Sequence, residues 1–326
     1  MSDANNISRP KVSVIIVNYN GARYLARCLQ ALRQQVVAPH EIIIVDNASS
    51  DNSFEIVRKF PEVKWLPQNQ NLGFAKGNNV GVAAADLASE WIALLNGDAF
   101  AEPEWLMNLL VATQQFPEFD AFACKLLNAA NPAILDGQGD AYHISGRAFR
   151  IGFGRPVPDN QETCHEVFSP CAAAALYRRS AFDKIGGFDE QFFCYLEDVD
   201  LGFRLRLAGY RCLYVPSSVA LHVGSGSTGG QHSDFSTYHG HRNLVWTYVK
   251  DMPSVLFWIF LPLHLLMNIA GIIKCAMRGQ LKVILRAKWD ALSGLPEMWR
   301  KRRQIQQNRS IKWNELLRVL SMLVSI

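Results

Sequence analysis

The sequence predicts an α/β protein built on a mainly parallel sheet flanked by helices, with a basic helical region at its C-terminal end. Three observations lead there. Runs such as Val12–Val17 (VSVIIV) and Glu41–Val45 (EIIIV) are continuously apolar and β-branched, as strands covered on both faces of a parallel sheet must be. Segments of helical period separate these runs, giving the strand–helix alternation of such a sheet. The charge is divided as well. From His241 onward 14 Lys/Arg stand against 4 Asp/Glu, whereas the first 240 residues hold 19 against 25.

The elements follow in order. After the first strand, Asn18-Tyr19-Asn20-Gly21 turns the chain, and Leu25, Cys28, Leu29 and Leu32 mark one face of a helix. Glu41–Val45 ends in Asp46-Asn47-Ala48-Ser49-Ser50-Asp51, and a helix follows to about Phe60. Val63–Leu66 is a third strand. Asn71-Leu72-Gly73-Phe74 opens a helix that runs through Asn78 to Ala85. Trp91–Leu95 is a fourth strand, ending at Asn96-Gly97-Asp98. Residues 120–170, with Asp136-Gly-Gln-Gly-Asp140, are weakly periodic and read as irregular structure beside a cleft, able to carry acceptor contacts. Ala172–Tyr177 is a short strand. Gly186–Gly209 is a loop opening into a helix, and Arg211–Val215 is another strand. His222 then precedes a Gly/Ser-rich segment, residues 224–228, suited to closing over a ligand.

A length of 326 residues suits one large α/β domain or one domain plus an appendage, and 49% hydrophobic residues mark it as globular. Seven scattered cysteines, without CxxC or Cys/His metal spacing, imply free thiols in a reducing compartment. Residues 1–10 are polar and read as a disordered N-terminus without a secretory signal. The expected division is therefore 1–10, a catalytic body over 11–240, and a basic, apolar tail over 241–326.

Ligands of such sheets bind outside the carboxyl ends of the strands, where Asn18, Asp46 and Asp98 fall. The first strand is not followed by G-x-G-x-x-G, and neither G-x-x-x-x-G-K-[ST] nor G-x-S-x-G occurs. Dinucleotide, P-loop and α/β-hydrolase chemistry are thus unsupported. Carboxylates meet a diphosphate only through a divalent metal, because direct contact is repulsive. A second acidic group, Glu197, Asp198 and Asp200, crowds a helix start, where the helix dipole favours ionised acids. Asp200 can pair with Arg204 one turn on. Leu196, Val199, Phe203 and Leu207 give that helix one buried face. Asp198 belongs to neither pattern, and its place predicts a low pKa.

Together these segments resemble the inverting family-2 glycosyltransferases of GT-A fold, in particular their bacterial rhamnosyltransferase-like branch. The carrying residues are SVIIVNYNG (13–21), EIIIVDNASSDNS (41–53), NQNLGFAKGNN (69–79), LLNGDA (94–99), AAAALYRR (172–179), GGFDEQFFCYLEDVDLGFRLRLAGY (186–210) and HVGSGST (222–228). The resemblance implies a dTDP- or UDP-sugar donor, transfer of a single sugar, and the following roles. Asp46 would bind the donor's base, with Tyr19 and Asn78 nearby. Asp98 would hold Mg²⁺ or Mn²⁺ on the donor diphosphate, and His222 would complete the metal's shell. Asp198 would be the catalytic base, with Glu197 as its supporting neighbour. The chain departs from the family at Asn96-Gly97-Asp98, which supplies one firm anionic ligand, and at Ala172, where a Gly is usual.

Val255–Ile273 holds 19 residues without a charge, long enough to span a bilayer. Lys274, Arg278, Lys282, Arg286, Lys288 and Arg300 to Arg303 follow it. A single span would carry these cations outward, against the positive-inside preference. The expectation is a re-entrant or interfacial helix on the inner face of the plasma membrane, with the basic stretch on anionic headgroups. Ile311–Ile326 could share that surface. An acceptor carried on a polyprenyl lipid fits this placement; nucleic acid does not, since the apolar segment has no role there. The competing expectation is a catalytically silent sugar-nucleotide-binding or scaffold protein at the membrane.

Overall fold

The computed structural model describes residues 10–158, 162–224, 230 and 232–322. The expected disordered N-terminus, up to residue 9, and residues 225–228 of the Gly/Ser-rich segment lie outside the described residues. The first half alternates as expected: β1 (Val12–Asn18), α1 (Ala22–Arg33), β2 (Glu41–Asp46), α2 (Ser53–Val57), β3 (Val63–Pro67), α3 (Gly73–Ala83) and β4 (Trp91–Leu95). There follow β5 (Ala99–Ala101), α4 (Trp105–Gln115), β6 (Ala121–Asn128), β7 (Leu135–Gly137), β8 (Asp140–Tyr142), β9 (Ala148–Arg150), β10 (His165–Val167), β11 (Ala174–Arg178) and α5 (Arg179–Lys184). A 3₁₀ turn at Glu190–Phe192 leads to α6 (Glu197–Leu207) and β12 (Cys212–His222). The tail is helical: α7 (Asp234–Asp251), α8 (Ser254–Met277), α9 (Leu281–Ser293), α10 (Leu295–Gln307) and α11 (Trp313–Val319).

The main sheet runs β10-β12-β6-β11-β4-β1-β2-β3, with β5 added to β12 and β7 to β6. β1 pairs in parallel with β2 and β4, and β2 with β3, whereas β11 is inserted antiparallel between β4 and β6. Alternation decides the packing. Val14 and Ile16 face α1 and α4, while Ile15 faces the other core with Ala75 and Val82 of α3. Both sheet faces are covered, so β1 and β2 are apolar along their centres, and Ser13 near the start of β1 is buried against Glu41 and Ser89. The register puts Asn18 opposite Asp46. The polar residues of two strand ends therefore meet at one edge.

Three expectations are corrected. Residues 120–170 are not irregular: β6 lies inside the main sheet, between β12 and β11, and β7–β10 follow it. Helix α6 is buried all round except at Asp198, because Leu201 and Leu205 join one core while Val199, Phe203 and Leu207 join another. The boundary expected between residues 240 and 241 falls within α7. That helix shares a core with the body, where Trp246, Tyr248 and Met252 pack with Tyr142, Phe168 and Phe203.

The basic stretch of the tail is also divided. Arg302 is buried and donates to the carbonyl of Val249 at 2.8 Å, and Lys301 pairs with Asp189 at 2.6 Å. Lys288 turns inward to Asn268 Oδ1 at 2.5 Å. Lys282, Arg286, Arg300 and Arg303 stay exposed. Helix α8 is long and apolar enough to cross a membrane by length and composition, and most of it is not buried against the protein. Its outer side shows Trp258, Ile259, Leu266, Ile269 and Ile273, and α9 adds Leu285 and Trp289.

Candidate active site

A cleft of about 1090 Å³ runs along the strand ends and is closed by α6, α7 and α8. At its β1–β2 edge, Asn18 Nδ2 donates to Asp46 Oδ1 at 2.8 Å, and Ser49 donates to Asp46 through both its backbone N–H (3.0 Å) and its hydroxyl (2.6 Å). Asp46 is thus the organiser of this turn. Asn18, Tyr19 and Asn47 line the cleft, whereas Asp46 sits just behind them. Asn78 is set further back. It is 1% exposed inside α3, donates to the carbonyl of Phe74 at 2.9 Å, and does not line the cleft.

Beyond β4, Asn96, Gly97 and Asp98 form the next part of the wall. β5 pairs antiparallel with β12, with Ala99 opposite His222, and this brings His222 beside Asp98. His222 Nε2 is 3.4 Å from Asp98 Oδ1 and 3.3 Å from Asn96 Nδ2. The other ring nitrogen, Nδ1, lies 2.7 Å from Asp136 Oδ2, which Arg150 Nη1 approaches at 2.5 Å. Burial opposes a charge on this ring, yet the Asp136 and Asp98 carboxylates hold its pKa above the ordinary value. The donor set fits a divalent cation. It offers one carboxylate and one imidazole, and a carboxylate on the far nitrogen orients that imidazole, as metal-bound histidines require. A cation there would replace the imidazolium proton.

Asp198 forms the opposite part of the site. The loop before it has φ of 64° at Phe193, 66° at Tyr195 and 65° at Leu196, a conformation that side-chain-bearing residues rarely hold unaided. Two sets of contacts hold it. Phe74 N and Ala75 N donate to the Phe193 carbonyl at 2.7 and 3.1 Å, and this close approach needs Gly73, where a Cβ would come within 2.6 Å of the same oxygen. Asn243 Nδ2 of α7 reaches the carbonyls of Phe192 (3.0 Å), Cys194 (2.9 Å) and Tyr195 (2.7 Å). Asp198 then accepts from Ala172 N at 3.1 Å and from its neighbour Val199 N at 2.9 Å.

The low pKa expected for Asp198 is not found. Burial raises it, and the Ala172 and Val199 N–H groups and the Arg150 charge offset only part of that rise. Glu197 is pushed well above the carboxylate range by burial and by Asp198, and its Oε2 has no hydrogen-bond partner among the described residues. Asp200 lies 2.7 Å from Arg204, the expected one-turn pair, and is also paired with Lys250 of α7.

Arg150, Cys171 and Asn243 enter the site without having been expected there, and Asp136 and Asp140, expected only beside the cleft, join them. The ligating atoms of Asp140, Cys171 and Asp198 lie within 4.8 Å of one another. Asp136 and Asp140 come from the Asp136-Gly-Gln-Gly-Asp140 segment, whose two acids were a visible signal. Its Gly137 is required by Arg150, whose Cδ a Cβ there would meet at 2.4 Å.

Comparison with known proteins places this arrangement. The family profile described as Glycosyl transferase family 2 matches residues 13–186. The chain belongs to glycosyltransferase family 2. It is 31% identical over 270 residues to the N-acetylglucosaminyl-diphospho-decaprenol L-rhamnosyltransferase of Mycobacterium tuberculosis, covering 74% of this chain and 84% of that one. It is 26% identical over 223 residues to the rhamnosyltransferase WbbL of Escherichia coli K12, covering 65% and 83%. Among solved structures, this glycosyltransferase resembles the mannosyltransferase PcManGT of Pyrobaculum calidifontis in complex with GDP-Man and Mn²⁺, with a TM-score of 0.55 and 18% identity over 93% of this chain and 85% of that one. Staphylococcus aureus TarS 1–349 with UDP-GlcNAc gives a TM-score of 0.56 at 19% identity, covering 91% and 92%. The fold is of GT-A type, as the sequence implied.

Proposed function

We propose that this glycosyltransferase moves one sugar, with inversion, from a dTDP- or UDP-sugar to a hydroxyl of a lipid-linked glycan acceptor. The observation that carries this reading is a single cleft lined by Asp198, Asp98 and His222. Inversion is one in-line displacement. The acceptor oxygen attacks the anomeric carbon, its proton passes to Asp198, and the bond to the diphosphate breaks to release the nucleoside diphosphate. Burial suits Asp198 to this task, because a base of raised pKa accepts a proton more readily once ionised. Glu197 would support it from the protein side.

On the donor side, Asp98 and His222 would hold Mg²⁺ or Mn²⁺, which when bound neutralises charge on the leaving diphosphate. Tyr19 and Asn18 would meet the nucleotide base on the turn that Asp46 organises, with Asn78 buttressing α3 behind them. Rhamnose from dTDP-rhamnose is the first donor to test, since the relatives include named rhamnosyltransferases. The apolar outer side of α8 and α9, with Lys282, Arg286 and Arg300 near it in sequence, suits an interfacial position on the anionic inner face of the plasma membrane.

The deciding experiment offers purified protein a panel of nucleotide sugars with a lipid-linked acceptor and analyses the products. The expected result is nucleoside diphosphate release with a new glycosidic bond of inverted configuration. Nucleotide-sugar binding without release for any pair would leave the silent scaffold as the better account.

A further inference from the structure

The cleft continues past Asp198 into a groove between α7 and α8. Met267, Ala270, Gly271, Lys274, Cys275 and Arg278 all line it, and their spacing of three and four residues makes them one face of α8. Phe235, Gly240, His241 and Leu244 of α7 stand opposite. Gly240 and Gly271 line the groove; Gly240 faces open space, and a Cβ on Gly271 would come within 3.0 Å of the His241 ring.

Its charge is one-sided. Residues 252–289 carry five Lys/Arg and no Asp or Glu. Among the described residues, neither Lys274 nor Arg278 has a carboxylate ion-pair partner; the Arg278 guanidinium sits 3.3 Å from His232 Nδ1 instead. Burial and the Lys288 and Arg278 charges push His241 down to about 4, and burial pushes Lys288 down to about 8. Cations crowded without a counter-ion are relieved by an anion. The other side of the same helix is the exposed apolar surface of Trp258, Ile259, Leu266 and Ile269.

We infer that the α7–α8 groove is a binding site for the diphosphate of a prenyl-diphosphate-linked acceptor, with Lys274 and Arg278 on the phosphates, the prenyl chain on the apolar side of α8, and the acceptor sugar in the cleft toward Asp198. This rests on the lipid-linked acceptor proposed above and assigns residues to its recognition. These two cations therefore serve a substrate, not the general membrane surface that Lys282, Arg286 and Arg300 serve.

The test uses the full chain in detergent micelles and measures binding of farnesyl diphosphate, farnesol and UDP to the wild type and to Lys274→Ala/Arg278→Ala. Both side chains are exposed, and retained UDP binding verifies the fold. The double variant should lose tenfold or more in affinity for farnesyl diphosphate, with farnesol and UDP binding little changed. Lys274→Glu should lose at least as much. Unchanged farnesyl diphosphate affinity would overturn the assignment. So would loss of UDP binding in its place, which gives the cations to the donor. Equal losses on phosphatidylglycerol vesicles and on farnesyl diphosphate would make them a general headgroup patch. Failure of the transferase reading is seen separately, as absence of nucleoside diphosphate release by wild type that still binds farnesyl diphosphate.

Discussion

His222 Nδ1 faces Asp136 Oδ2 at 2.7 Å, so the imidazole at the end of β12 is aimed at Asp98 by an acid 86 residues earlier. A metal ligand held in this way keeps one tautomer and one ring orientation. Asp136→Asn should therefore raise the Mn²⁺ concentration needed for half-maximal activity by about 10–100-fold, the usual effect of losing such a partner. A metal titration of the variant that matches wild type would show that Asp136 has only a packing role.

Asp198→Asn keeps the shape of the proposed base and removes its ability to take a proton. Turnover should fall by about 10²–10⁴ while the donor KM stays within a few-fold. Steady-state kinetics decide this, and near-normal turnover would end the assignment.

Arg150 stabilises the ionised form of Asp198, which burial has already raised. The base works only when ionised, so kcat/KM must fall as pH drops through its pKa. Removing the guanidinium raises that pKa further. Arg150→Gln should move the acid limb of the kcat/KM profile to higher pH; a shift to lower pH would contradict the electrostatic role.

Lys250 is 1% exposed and pairs with Asp189 at 2.7 Å as well as with Asp200. Lys250→Met leaves both acids without this partner inside the protein, and should cost about 3–5 kcal/mol in chemical denaturation. Combining it with Asp200→Asn should cost less than the sum of the two single changes, because one buried charge is removed with the other.

The parts of the fold that were legible are those whose sequence follows from burial alone. β1 and β2 are covered on both faces, and VSVIIV and EIIIV say so. β6 (AFACKLLN) is just as central but has no β-branched residue, and its Ala, Cys and Leu suit a helix equally well. The all-round burial of α6 was hidden by Arg204 and Arg206, whose charges are buried because Asp200 pairs with the first and Glu166 with the second, whose Nε also donates to the Phe168 carbonyl at 3.0 Å. In the site, Asp98 stood out because it follows a strand end, Asp198 because it begins a helix, and His222 because a Gly/Ser-rich segment follows it. The roles of Asp136 and Arg150 did not, since β7 carries Asp136 alongside β6, the neighbour of β12, and the separate β8–β9 hairpin carries Arg150. Asn243 was invisible for the same reason: an asparagine inside a helix gives no local hint of three carbonyls waiting elsewhere.

That asparagine has a practical consequence. Cutting the chain at residue 240 would not leave an intact site, even though every acid expected in the chemistry lies before that point. The cut would remove Asn243, whose side chain bridges the carbonyls of Phe192, Cys194 and Tyr195, and Asp198 would lose its fixed position as the loop relaxed. The workable redesign leaves the backbone whole and replaces the outward residues of α8, such as Trp258, Ile259, Leu266 and Ile269, with polar ones. A protein of more polar surface obtained that way keeps Asn243 at its post.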